Sequence, residues 1–122
     1  MLYAILCYNS ENAVFSWSKA QEDKVMADLA AVQARLSKVN KLGPVARLMP
    51  TTAAITLRKG DTPLVLDGPF AETKEQLLGF YVVDCADLEE ALGFARELGA
   101  VNPGGAHEIR PLLMFDKGTL PG

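Results

Sequence analysis

In the first third of the chain, hydrophobic residues recur every three or four positions, which predicts a long helix with one apolar stripe. The stripe consists of Val25, Met26, Leu29, Val32, Leu36 and Val39. Ser18 and Gln21 have the spacing of a capping box at the start of this helix. Gly43-Pro44 is expected to end it. Residues 9–12, which precede the helix, are predicted to form a polar loop.

A second helix and a set of strand-like runs complete the pattern. Strands are predicted at residues 2–8, 45–49, 53–58, 63–66, 77–83 and 106–115. Asp87 and Glu90 have capping-box spacing before the second apolar stripe, and Gly99 ends it. Residues 59–62 are rich in turn formers and predict a hairpin. This order predicts one domain over residues 1–122, an α+β, ferredoxin-like βαββαβ sandwich with an extra hairpin.

Three of the predicted strand segments do not alternate between apolar and polar residues. Residues 2–8, 77–83 and 112–115 are continuously apolar. Two helices cover only one face of such a sheet, so the other face would expose more apolar area than monomers usually show. We expect the same face of a second copy to cover it, giving a homodimer paired sheet to sheet as an α+β barrel. The alternative is that the C-terminal segment or the long loops fold over this face.

Composition and charge exclude several classes of protein. The net charge is −3 with no Lys/Arg cluster, which disfavours nucleic-acid and anionic-membrane partners. No apolar run is long enough to span a membrane, and the apolar start is interpreted as a strand because it lacks a basic leader. Cys7 and Cys85 are interpreted as reduced, buried cysteines of a cytoplasmic protein. Histidine and cysteine are too few for a zinc site, so no metal or cofactor is expected.

A rigid bend at residues 67–70 carries the first candidate functional groups. Asp67 ends an apolar run just before Gly68-Pro69, and polar groups on rigid loops are frequently functional. Its carboxylate is a candidate general base or substrate anchor. Alternatively, it closes an Asx turn by accepting a hydrogen bond from the backbone of Phe70. Phe70 itself is expected to fill the core or to form a pocket wall.

Charged residues after the bend and on the strands extend this candidate site. Lys74 is positively charged and could hold an anionic substrate, and the Glu75 carboxylate could exchange a proton. Alternatively, both residues belong to a solvated charged loop with weak ion pairs. Arg58 and Arg110 either pair internally, with Asp67 or Glu108, or bind a carboxylate or phosphate. The single histidine is next to Glu108 in the last strand, so the two side chains are expected on opposite faces.

Residues 67–76, Asp-Gly-Pro-Phe-Ala-Glu-Thr-Lys-Glu-Gln, resemble the signature of YCII-related proteins of the DGPF type. Further segments, at residues 53–58, 79–84, 87–91 and 108–112, are similar to other parts of that family. The resemblance implies a dimeric α+β barrel of ferredoxin-like subunits, a bacterial origin and an association with certain alternative sigma factors. The wider group has a proposed histidine–aspartate pair with its histidine in the N-terminal half. Here the only histidine is His107, which departs from that pattern.

Three functions are compatible with these observations. The first is binding or transformation of a small polar organic molecule near the bend by cofactor-free, lyase- or hydrolase-like acid/base chemistry. Its catalytic residues would be Asp67 and Glu75; its substrate-binding residues would be Arg58, Phe70, Lys74 and Arg110. The second is a non-catalytic dimeric interaction module linked to transcription. The third, a cofactor-free oxygenase, follows only from analogy with other proteins of this architecture.

Overall fold

The structure is a computed structural model that describes residues 1–121. In chain order its elements are β1 (Leu2–Asn9), α1 (Glu11–Phe15), α2 (Lys19–Lys38), β2 (Leu42–Arg47), a 3₁₀ turn (Thr51–Ala53), β3 (Ile55–Arg58), β4 (Leu64–Asp67), β5 (Gln76–Asp84), α3 (Leu88–Ala100) and β6 (Ala106–Pro111). Four strands form an antiparallel sheet in the order β2-β5-β1-β6, while β3 and β4 pair only with each other. This arrangement confirms the predicted α+β, ferredoxin-like fold with an extra hairpin.

The core lies between the sheet and the two long helices. Ile5 at the centre of β1 is fully buried and is opposite Tyr81 of β5 and Ile109 of β6. The predicted stripe of α2 faces it through Val25, Leu29, Val32 and Leu36, and α3 contributes Ala91, Ala95 and Leu98. Burial of these side chains is the main source of stability, at roughly 1.5–3 kcal/mol for each large aliphatic one.

Polar caps set where the two long helices begin. The Ser18 hydroxyl accepts from the Gln21 backbone N–H at 3.1 Å, as predicted for α2. The Asp87 carboxylate accepts from the Glu90 N–H at 2.9 Å, as predicted for α3. Each of these bonds satisfies a backbone donor that the first helical turn leaves unpaired, which is worth about 1 kcal/mol.

The predicted end of the long helix is wrong. α2 ends at Lys38, and Asn40 follows with a φ of 59°, in the left-handed conformation that commonly ends helices. Gly43-Pro44 lies inside β2, at the place where the register against β5 shifts between Leu42 and Val45. An edge strand with an irregularity tolerates proline because no ladder hydrogen bond is lost there.

Two other predicted boundaries need correction. Residues 9–12 are not all loop, because α1 begins at Glu11 and is capped by the Ser10 hydroxyl, which accepts from the Ala13 N–H at 3.4 Å. The last strand ends at Pro111 rather than at residue 115. Beyond it, Leu113 and Met114 are exposed, so this segment does not provide a third continuously apolar strand.

The sheet face opposite α2 and α3 carries small and apolar side chains at its centre. Leu2, Ala4 and Leu6 alternate along β1 with the core residues and are half-buried in the single copy. Phe80 lies beside Leu6 on β5 and is also half-buried. In the described part of the tail after β6, Leu112 is half-buried, whereas Leu113, Met114 and Leu120 are exposed. We call this surface the open face.

Candidate functional site

A cavity lies between α2 and the sheet, at the end of the sheet where β1 meets the following loop. Its volume is about 320 Å³, which is within the range of small-molecule sites. The apolar part of its wall includes Val14, Trp17, Met26, Leu29 and Val45. The polar part includes Cys7, Gln33, Arg47, Tyr81, Asn102 and His107.

Local irregularities of the sheet open this cavity. The β1–β5 register shifts between Cys7 and Tyr8, and Gly79 is opposite Cys7 with no side chain to fill the space. A Cβ at position 79 would collide with the backbone oxygen of Ala46 and lie 3.2 Å from the Cα of Arg47. Only glycine therefore lets β2 approach β5 this closely, and the same absence of a side chain leaves room next to Cys7.

The Cys7 thiol and the Tyr81 phenol are both kept neutral. Burial raises the pKa of Cys7 to about 11, so at neutral pH the residue is a thiol and a poor nucleophile. Burial also raises the pKa of Tyr81, helped by the nearby Cys7 and opposed by a side-chain hydrogen bond with Gln33. The phenol and the amide are thus neutral polar groups at the wall, suited to orienting a ligand.

His107 borders the same cavity from β6. Its Nδ1 lies 3.3 Å from the backbone oxygen of Ala95, which can only accept, so Nδ1 carries the proton and Nε2 keeps its lone pair. Burial lowers the pKa of His107, and the bond to Ala95 opposes this in part. A neutral imidazole of this kind is able to accept a proton at neutral pH.

We expect the pH dependence of stability between about pH 7.5 and pH 5.5 to depend on His107. Its folded-state pKa is below the ordinary value of 6.5, so the unfolded chain binds the proton more readily. The contribution of His107 to the free energy of unfolding is therefore fully present above the ordinary pKa. It is lost as the pH drops through the folded-state pKa. Glu90 and Glu108 have lowered pKa values and lose their contributions only below the ordinary value of 4.5. Urea titrations should show a flatter profile for His107→Gln, and an unchanged slope would contradict this prediction.

Arg47 is at the mouth of the cavity, at the end of β2. Its Nη1 lies 3.5 Å from the thioether sulfur of Met26 and 3.9 Å from the nearest carboxylate oxygen of Glu22. The side chain is about half exposed, at 47%. Arginine thus presents a weakly paired positive charge where a ligand would enter.

The bend predicted as a site is on the separate hairpin. Asp67 ends β4 and is exposed, and within residues 1–121 its carboxylate makes no hydrogen bond, so the predicted Asx turn is not formed. The bend is held instead by the Gly68 N–H, which donates to the Ala54 oxygen at 2.8 Å, and by the Thr56 hydroxyl, which donates to the Gly68 oxygen at 2.9 Å. Phe70 is 72% exposed, so in the single copy it does not fill the core.

The other predicted site residues have separate partners in a single copy. The Arg58 guanidinium lies 4.9 Å from the ring centre of Phe70, a cation–π contact. Lys74 and Glu75 are exposed on the loop before β5. Arg110 pairs with Glu108 at 2.9 Å, one of the internal pairings expected from the sequence. That pair lowers the pKa of Glu108 and raises that of Arg110.

The predicted orientation of the last strand is confirmed. His107 faces the helices, whereas Glu108 points to the open face and accepts from the Tyr8 hydroxyl at 3.3 Å. The two residues therefore do not form an acid/base pair.

A family model for the YCII-related domain matches residues 1–116. The chain belongs to the YCII-related family. It is also similar to an uncharacterised protein of Rhizobium meliloti (strain 1021), 60% identical over 124 residues that cover 99% of each chain. The family predicted from the sequence is therefore confirmed, while the DGPF type and the sigma-factor context stay predictions.

Sequence reasoning missed most of the cavity of this YCII-related domain. The sequence pattern places Gln33 in the long helix and both Tyr81 and Arg47 in strands, without bringing the three together. Two signals pointed to them. Gly79 interrupts an otherwise apolar strand, which is typical of a close backbone approach, and Gln33 is a polar residue beside the buried Val32 of the stripe.

The part of the chain that the structure describes has neither a metal-ligand cluster nor a membrane-spanning helix. Among residues 1–121 there is no group of three or more histidine, cysteine, aspartate or glutamate side chains that could hold a metal ion. Over the same residues, no helix has the length and apolar character to cross a membrane.

Proposed function

We propose that this YCII-related protein binds a small organic molecule in the cavity between α2 and the sheet, and that it acts on it by acid/base chemistry. The observation that carries the proposal is the cavity itself, where neutral polar groups converge on an otherwise apolar wall. An apolar pocket with a few convergent polar groups and perturbed pKa values is the usual form of a binding or active site.

The roles of the wall residues follow from their protonation states. His107 is neutral with Nε2 unprotonated, which suits a general base. Tyr81 keeps its proton and accepts a hydrogen bond from the Gln33 amide, which suits orientation of a polar group on the ligand. Proton transfer of this kind needs no cofactor, in line with the expectation from the sequence.

We also propose that the open face pairs with a second copy and that the bend completes a site only in that dimer. The hairpin supports this because Ile55, Leu57 and Val65 share one of its faces and are 59–69% exposed. A two-stranded ribbon with such a face is marginally stable alone, and monomers rarely expose such a patch. In the dimer, Asp67 and Glu75 would exchange protons. Arg58, Phe70, Lys74 and Arg110 would contact a small polar molecule.

The exposed hairpin also favours a second candidate function. A protruding apolar ribbon is a suitable contact for another protein, which matches the alternative of a non-catalytic dimeric module linked to transcription. In that case the cavity would stay without a ligand, and its wall residues would serve the fold only.

Filling the cavity mouth tests the first proposal. Ala30 and Ala31 are neighbours on α2 and both exposed, but only Ala30 lines the cavity. Ala30→Trp should block ligand entry, whereas Ala31→Trp places the same ring outside it. Thermal-shift screening against a library of small organic molecules should give compounds that stabilise the wild type and Ala31→Trp. Their binding to Ala30→Trp should be at least about tenfold weaker, a change of about 1.4 kcal/mol.

The outcomes separate the two functions. Compounds that stabilise all three proteins equally would place binding elsewhere and contradict the cavity proposal. A library without any stabilising compound would favour the interaction module.

A further inference from the structure

The cavity has an unusual charge distribution for an acidic protein. The chain as a whole has a net charge of −3. Among the described residues that line the cavity, none is an aspartate or a glutamate, and Arg47 is the only side chain with a fixed charge. His107 is neutral because burial lowers its pKa. A ligand inside therefore meets one positive charge and no negative charge.

Arg47 is available to a ligand because its internal partners are weak. Its distance of 3.9 Å to Glu22 is beyond hydrogen-bond range, and the Met26 thioether is a poor acceptor. Arg110 of the same protein differs, because its guanidinium forms a salt bridge with the Glu108 carboxylate at 2.9 Å. A guanidinium fork binds a carboxylate through two parallel hydrogen bonds, so Arg47 is suited to that group.

The size of the cavity limits the rest of the ligand. An apolar cavity of about 150 Å³ accepts benzene. The volume of about 320 Å³ thus accommodates one ring and a short substituent. Trp17, Met26 and Leu29 provide an apolar surface for such a ring, and Tyr81 with Gln33 provides polar contacts.

We propose that the ligand of this cavity is a small monocarboxylic acid with a single ring, whose carboxylate binds Arg47 at the mouth and whose ring lies against the apolar wall. This inference rests on the proposed function and names its substrate class. A carboxylate at Arg47 leaves the opposite end of the molecule near the neutral phenol of Tyr81. Dicarboxylic acids and cations are disfavoured, because the cavity offers no second positive charge and no negative one.

Matched pairs of ring compounds test the inference. The probes are benzoate, phenylacetate and cinnamate, each compared with its amide, which has nearly the same shape and no charge. Binding is measured by calorimetry and thermal shift with the wild type, Arg47→Gln and Arg35→Gln. Arg35 is the control because it is a partly exposed arginine on α2 that pairs with Glu97 at 3.4 Å and does not line the cavity.

We expect one or more acids to bind the wild type and Arg35→Gln, and the corresponding amide to bind much more weakly. Arg47→Gln should weaken the acids at least about tenfold and leave the amides unchanged. If amides bind as well as acids and Arg47→Gln changes neither, the carboxylate class is overturned while the cavity remains a binding site. If neither class binds and Ala30→Trp alters no ligand response, the proposed function itself fails.

Discussion

Replacing Ala4 by glutamate is expected to leave the protein a folded monomer by disrupting the proposed sheet-to-sheet dimer. Ala4 lies at the centre of the open face, opposite Val82 on β5 and Arg110 on β6. If this face pairs with a second copy, the new carboxylate from each copy is enclosed between two sheets. Removing a charge from water without a full set of partners costs several kcal/mol.

The effect on the dissociation constant should be large. Two carboxylates enter each dimer, and a loss of about 3 kcal/mol in total already weakens association more than 100-fold. The single copy should tolerate the change better than the dimer, because Ala4 is only partly buried there and the carboxylate reaches water. The cost therefore falls on association and not on folding.

Sedimentation velocity at micromolar concentration measures this directly, with far-UV circular dichroism to check that the variant is folded. Ala34→Glu is the matched control: it introduces the same side chain on an exposed position of α2, away from the open face. It should leave the dimer intact. A wild type that sediments as a stable monomer, or an Ala4→Glu variant that remains dimeric, would refute the sheet-to-sheet pairing.

The second large effect is expected for Gly105→Ala. Gly105 has a φ of +76°, a left-handed conformation that costs other residues about 1–2 kcal/mol. The added Cβ would also overlap the backbone oxygen of Tyr8 and lie 3.0 Å from the Cβ of Asn9. Because backbone atoms cannot move aside cheaply, overpacking adds about 1–3 kcal/mol. We expect a total loss of about 3 kcal/mol or more in the free energy of unfolding.

The adjacent Gly104 separates the two causes. It has a similar φ of +80°, but an added Cβ would meet only the end of the Asn9 side chain at 3.4 Å. Gly104→Ala should therefore lose only the conformational part, about 1–2 kcal/mol. Urea titrations at one fixed protein concentration give both values. Equal losses for the two variants would show that the contact with Tyr8 is not what requires glycine at position 105.

Local patterns of the sequence determined most of the fold. Side-chain periodicity gave the buried stripe of α2, and the Ser18 and Asp87 caps were correct, because each depends on residues within one or two turns. The end of α2 was missed because Gly43-Pro44 fits a helix stop and an irregular edge strand equally well. The final strand was extended too far because an apolar run does not show whether a neighbouring strand is present to pair with it.

The sequence also determined the family, through the segment at residues 67–76, and it identified chemically capable side chains around that bend. Only the tertiary structure decided where a cavity exists. Cys7, Gln33, Arg47, Tyr81 and His107 come from five different elements, which the strand order and the packing of α2 on the sheet bring together. No pattern along the sequence indicates that these residues are close together in space. The protonation states of these groups likewise depend on burial, which is a property of the packed chain and not of any residue alone.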